Sequence, residues 1–141
     1  MKKTSFLYLI LPLLALILEI LPFGAVLNFA NVADDGTIGY VRETYSYFSL
    51  MPVGYANIFP FCTAILTCVA FALIVAYCIT EKHCFAVAVK ILLCVCVIFS
   101  IGPVIFGIKY LSVTGVVITL LLIAELIVMQ FIVKKNTQQN N

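Results

Sequence analysis

The chain has no tryptophan and a single histidine, and only 10% of its residues are charged. Each shortage excludes something. Soluble domains carry roughly 25% charged residues, so this one cannot clothe a water-soluble fold of its size. The net charge is only +2, and the basic residues occur singly or in pairs, which leaves no electrostatic footprint for nucleic acid. HExxH and GxSxG sequences are missing, and the glycines do not form a phosphate loop. His83 stands with Cys78 and Cys84 at one predicted turn, three groups spaced unlike a zinc site. No catalytic constellation, metal or cofactor is implied.

What is present is hydrocarbon-compatible sequence: 65% of the 141 residues are hydrophobic. A membrane span needs about 20 mostly apolar residues. Four stretches qualify, at residues 6–30, 58–80, 85–106 and 112–133, and the boundary between the last two rests on Gly102, Pro103, Gly107 and Lys109. The expected fold is all-α, a four-helix transmembrane bundle in one domain. An outer loop occupies residues 31–57 and a tail residues 134–141. Lys2, Lys3, Lys82, Lys134 and Lys135 fall on one side and Arg42 and Lys109 on the other. Cytoplasmic loops hold the excess of lysine and arginine, which places both termini in the cytoplasm. The first stretch exceeds the ~7–15 residues of a secretory h-region and has no clean cleavage site after it, so it is read as a retained anchor. Cys62, Cys68, Cys94 and Cys96 fall within spans and Cys78 and Cys84 near the cytoplasmic face. None falls in the outer loop, so they are read as small apolar residues rather than disulfides.

The outer loop opens on Asp34-Asp35-Gly36, a turn signal, and continues with Tyr40, Tyr45, Tyr47, Phe48 and Tyr55. Tyrosine suits the headgroup level, with its ring buried and its hydroxyl wet. This segment is expected to form an interfacial belt, or to fold over the bundle as a lid or docking surface. Asn57 is expected to cap the second helix, with Pro60 in its first turn. Along that helix Ala64, Cys68, Ala72 and Ala76 recur every fourth residue, a small-residue stripe of the kind through which membrane helices approach closely.

Three charges lie inside spans and need partners, because a lone charge in a bilayer costs several kcal/mol. If the hairpin of the last two spans turns near Gly107, Lys90 and Glu125 come level and form an ion pair that fixes register. Glu19 is expected about 7 Å nearer the outer face than Glu125 at ~1.5 Å per residue, too far to share a proton unless the helices shift. Pro12 and Pro22 in the same stretch free the carbonyls of Tyr8 and Leu18, so that side of the helix should face protein or water. Glu19 is read either as a neutral acid hydrogen-bonded to a neighbouring helix or as an ion- or proton-coupling carboxylate.

The run Glu19-Ile-Leu-Pro-Phe-Gly-Ala-Val-Leu, with Phe48-Ser-Leu-Met-Pro-Val-Gly-Tyr-Ala-Asn, resembles small four-helix membrane proteins of Gram-positive bacteria. That group has no assigned function. The resemblance implies topology and a bacterial plasma-membrane address. Four short spans with a glutamate in the first, at Glu19, are also similar to the small multidrug resistance transporters. Against that likeness stand the missing tryptophan, the long outer loop, Lys90 and Glu125. The leading expectation is a non-enzymatic scaffold or accessory subunit that contacts the lipid bilayer and a membrane-protein partner. The alternative is a proton-coupled small-solute transporter, a homodimer that uses Glu19.

Overall fold

The structure, a computed structural model, describes residues 7–32, 36, 38–49 and 58–139. Four helices dominate it: α1 (Leu7–Ile20), α2 (Ile58–Thr80), α3 (His83–Ile101) and α4 (Val113–Gln139). They pack in a ring, α1 against α2 and α4, with α3 closing the far side against both α2 and α4. Three stretches are long and apolar enough to cross a membrane, Ile58–Thr80, His83–Phe106 and Val113–Lys134. They agree closely with the last three expected spans. Most of the surface of these helices faces away from the bundle, with Ile65, Ile91, Ile98, Leu120 and Phe131 exposed, as a helix facing lipid requires.

The first expected span is corrected. Helix α1 is 14 residues long, about 21 Å at ~1.5 Å per residue, against a hydrocarbon core of about 30 Å. It stops at Ile20 because Pro22 offers no N–H and disfavours helical backbone at the residue before it. Beyond the turn, Ala25–Val32 is a strand (β1), paired antiparallel with Ile38–Tyr45 (β2) in a register from Ala25 opposite Tyr45 to Val32 opposite Ile38. The segment expected as an all-loop belt is therefore in part a β-hairpin, and its first strand uses residues assigned to the span. Gly36, at φ +79°, supplies the left-handed residue in the loop that joins the strands.

The hairpin starts inside the bundle and ends outside it. Ala25, Val26 and Leu27 are buried, whereas Val32 and Ile38 at the far end are 66% and 65% exposed. Eight residues per strand span about 26 Å at ~3.3 Å each. Arg42 ties the hairpin to the α3–α4 connection by donating to the Leu111 carbonyl at 3.0 Å. Lys109 lies over the Tyr40 ring.

That connection is two short 3-10 turns, Gly102–Phe106 and Ile108–Tyr110, joined at Gly107 with φ +122°. Ser112 then caps α4, its Oγ accepting the Gly115 N–H at 2.8 Å, the usual N-cap geometry. Asn57, the expected cap of α2, lies outside the described residues, as do Tyr55, Asp34 and Asp35.

The small-residue stripe of α2 is divided between the inside of the bundle and its surface. Ala64 is fully buried, but Cys68 and Ala72 face outward. A step of four residues overshoots one 3.6-residue turn by about 40°, so such a stripe drifts around the helix. The buried side of α2 is instead Pro60, Thr63, Ala64, Thr67, Ala70, Ile74 and Cys78. At the end of the bundle that carries the hairpin, Phe59 of α2 packs directly on Gly102, where an added Cβ would lie 2.3 Å from the ring. Phe99 and Phe106 hold that ring from the sides. Gly102→Ala should therefore lower stability by about 1–3 kcal/mol in reversible unfolding in mixed micelles. Adding Phe59→Leu should recover part of the loss.

Candidate functional site

The interior of a membrane bundle has no water to satisfy stray polar groups, so its polar side chains should be few and matched. Here they are concentrated. Glu19, Thr63, Thr67, Ser100, Ser112 and Glu125 are all buried, and together with Tyr47, Cys96 and Thr119 they run as a column from the hairpin end to the middle of the bundle.

The column begins at the turn after β2. Tyr47 does not sit at the headgroup level, as expected from sequence. It is inserted into the bundle and only 2% exposed. Its ring lies on Gly24, where an added Cβ would meet it at 2.7 Å, and its hydroxyl lies beside Gly115. The same hydroxyl is within hydrogen-bonding reach of Ser100, and burial pushes the phenol above its ordinary range, with the Glu19 charge adding to the effect. Ser112 donates to the Gly24 carbonyl. Ser100 and Thr119 are 2.7 Å apart, and Thr119 donates to the Gly115 carbonyl at 2.9 Å. Of the other expected aromatics, Tyr40 is exposed, Phe48 is at the margin of exposure, and Tyr45 is half-buried with its hydroxyl donating to Glu43.

Glu19 is the next member. It is 0% exposed, near the C-terminal end of α1. Its Oε1 lies 2.9 Å from the Thr67 hydroxyl, while its Oε2 is buried with no hydrogen-bond partner among the described residues. Its backbone carbonyl accepts the Tyr47 N–H at 2.9 Å and the Ser46 hydroxyl at 3.0 Å. These bonds satisfy a helix-end carbonyl that would otherwise be orphaned.

Glu125 of α4 is 2% exposed, and neither carboxyl oxygen has a hydrogen-bond partner among the described residues. The expected ion pair with Lys90 is not formed, and the hairpin register gives the reason. The Ser100–Thr119 contact makes those two residues level. Ten residues further in, Lys90 is level with Met129, one helical turn below Glu125. The 3-10 turns place more chain on the α4 side of the connection than a tight turn at Gly107 would, and the pairing slips by that turn. Glu125 feels Glu19 instead: the two carboxyls are near enough to repel when both are charged. Cys96 of α3 is in electrostatic reach of both and within hydrogen-bonding reach of the Thr67 hydroxyl.

The sequence identified both acids but not the hydroxyls that surround them. Thr63, Thr67, Ser100, Ser112 and Thr119 each lie within an otherwise apolar run or at its edge. Their spacing is the signal that was available: Thr63 and Thr67 are one turn apart, as are Gly115 and Thr119.

No protein-family model matches the chain, and no curated protein or solved structure is similar to it.

Thr67 is the only partner of the Glu19 carboxyl among the described residues. Thr67→Val keeps the shape and removes the hydroxyl, so it should lower stability by about 1–3 kcal/mol, the usual effect of stranding a buried polar group. Thr67→Ser should retain most of it. Unfolding in micelles reads both.

Proposed function

We propose that the chain is a non-enzymatic accessory subunit or scaffold of a bacterial plasma membrane, which offers its hairpin to a partner outside the bilayer. The observation that carries this reading is the hairpin itself. A two-stranded sheet is marginally stable at best on its own, yet here it reaches well beyond the bundle. Val32, Ile38, Tyr40 and Val41 are exposed along it. Within the chain it is held at its base and by Arg42 and Lys109 on one flank. Apolar side chains and unpaired strand edges at the outer end are what a partner covers when it adds a strand or an apolar surface.

The orientation belongs to this reading. Lys82 and Lys134 lie at one end of the bundle, and Arg42 and Lys109 at the other, beside the hairpin. The excess of lysine and arginine marks the cytoplasmic side, with both termini there and the hairpin outside. The resemblance to four-helix proteins of Gram-positive bacteria agrees with that address. In a cysteine-free background, a cysteine placed at Ile38, which is exposed at the tip of the hairpin, should react with an impermeant maleimide from outside. One placed at Lys134 should react only after the membrane is opened.

A second reading, proton-coupled transport of a small solute through Glu19, is favoured by one observation: Glu19 and Glu125 are buried acids without a cation beside them. The readings separate experimentally. Purification from native membranes in mild detergent should recover a stoichiometric second protein. The double change Val32→Lys and Ile38→Lys should release it while leaving stability within about 0.5 kcal/mol, as exposed sites do. Recovery of this chain alone would overturn the accessory reading. Flux in proteoliposomes that Glu19→Gln abolishes would establish transport in its place.

A further inference from the structure

The accessory reading makes no use of the buried acids, and a scaffold gains nothing obvious from them. We propose that Glu19 and Glu125 form a two-carboxylate proton-binding site inside the bundle, loaded from the end that carries the hairpin.

The unmatched atoms come first. Glu19 Oε2 and both oxygens of Glu125 are buried without hydrogen-bond partners, and the residues themselves are 0% and 2% exposed. Within reach of the Glu19 charge are Cys68 on the outward side of α2, Cys96 on α3, Glu125 on α4 and Tyr47 from the turn after β2. Facing Glu125 are Cys96 and Glu19. None of these groups is a cation. Two anions sharing a low-dielectric interior without a cation repel strongly, and a proton is the smallest ligand that removes the repulsion.

Counting hydrogens at Thr67 points the same way. Its hydroxyl lies 2.9 Å from Glu19 Oε1 and 2.9 Å from the Thr63 carbonyl. Both neighbours accept, and a hydroxyl has one hydrogen to give. If Glu19 is ionised, one contact is left without a hydrogen. If Glu19 carries a proton, it donates to Thr67, Thr67 donates to the Thr63 carbonyl, and both contacts are made.

The side of loading follows from where polar atoms stop. Toward the hairpin, Tyr47, Ser100, Thr119 and Ser112 continue the column to the mouth. In the opposite direction the buried residues are apolar, Ile74, Val89, Met129 and Ile132, with Lys90 half-buried at the level of Met129. A proton leaving the site meets a run of hydroxyls toward the hairpin, and toward the other end hydrocarbon with no hydroxyl in its buried layers.

The test uses the full chain in sealed vesicles, inserted in one orientation, with infrared difference spectra recorded as pH is stepped on one face and held on the other. Two carboxylic-acid carbonyl bands should vanish in separate steps as the hairpin-side pH rises. Glu19→Gln and Glu125→Gln should each remove one band and leave the remaining acid titrating in a single step, as for any coupled pair reduced to one member. Should a glutamine variant fail to fold, Thr67→Val serves in its place: it should shift the Glu19 band and leave that of Glu125. Bands that ignore pH, that follow the opposite face, or that respond to sodium at constant pH would each overturn the proposal. Neither a hairpin partner nor solute flux enters these spectra, so this inference and the functional reading can fail separately.

Discussion

The end of α1 sets the terms for everything above it. A helix that stops inside or near the hydrocarbon leaves carbonyls that no water can reach, and each unsatisfied group costs several kcal/mol there. The chain answers by bringing the turn after β2 back to that end, where the Tyr47 N–H and the Ser46 hydroxyl both bond the Glu19 carbonyl. This closure requires the hairpin, because only a chain that has gone out along β1 and returned along β2 arrives at α1 again. It also delivers the Tyr47 ring into the mouth of the bundle. Gly24 is the residue that lets the ring lie flat against the backbone, since a Cβ there would clash with it.

Below the mouth, the hydroxyls act as short ladders rather than isolated contacts. Thr63 donates to the Phe59 carbonyl and Thr119 to the Gly115 carbonyl, the back-bonding that lets threonine sit in a membrane helix without exposing its oxygen. Each such hydroxyl keeps lone pairs free to accept from a neighbouring helix. Ser100 against Thr119 uses this to fix the α3–α4 register, and Thr67 against Glu19 ties α1 to α2. The register is thus set by neutral hydrogen bonds and not by the ion pair that sequence suggested. A buried ion pair carries a desolvation penalty that its attraction repays only with good geometry, and two hydroxyls in contact carry far less.

Much of this was legible in the sequence, for reasons that can be named. The three long apolar runs declare themselves by length alone, and Gly102, Pro103 and Gly107 mark their one ambiguous boundary. Glu19 and Glu125 stand out because charge in such a run is rare. The hairpin was hidden by the same apolarity that revealed the helices. Ala25 to Ala30 is apolar enough to extend a span, yet Pro22 ends the helix before it, and the β-favouring Ile38, Tyr40, Val41, Thr44 and Tyr45 beyond the Asp-Gly turn form the strand it needs as a partner. The Lys90–Glu125 pairing failed on one helical turn, a difference that lies in the 3-10 geometry of the connection and that no periodicity count contains. Tyr47 was placed at the interface by a rule true of tyrosines in general. Here the hydroxyl finds Ser100 inside the protein, and with that partner the ring can be buried whole.

Glu19 joins the two halves of the molecule through different atoms. Its side chain belongs to the polar column, with Thr67 on one oxygen, no hydrogen-bond partner on the other among the described residues, and Glu125 within electrostatic reach. Its backbone carbonyl anchors the segment that returns from the hairpin. When the carboxyl changes charge, the Thr67 hydroxyl must turn from one acceptor to the other, and the repulsion from Glu125 acts on the last turn of α1. That turn ends one residue later, at Ile20, with nothing helical beyond it to resist a shift. The carbonyl that moves with it holds Tyr47 and Ser46, and these hold the base of β2. Two hydrogen bonds thus tie the residue that carries the interior carboxyl to the base of β2.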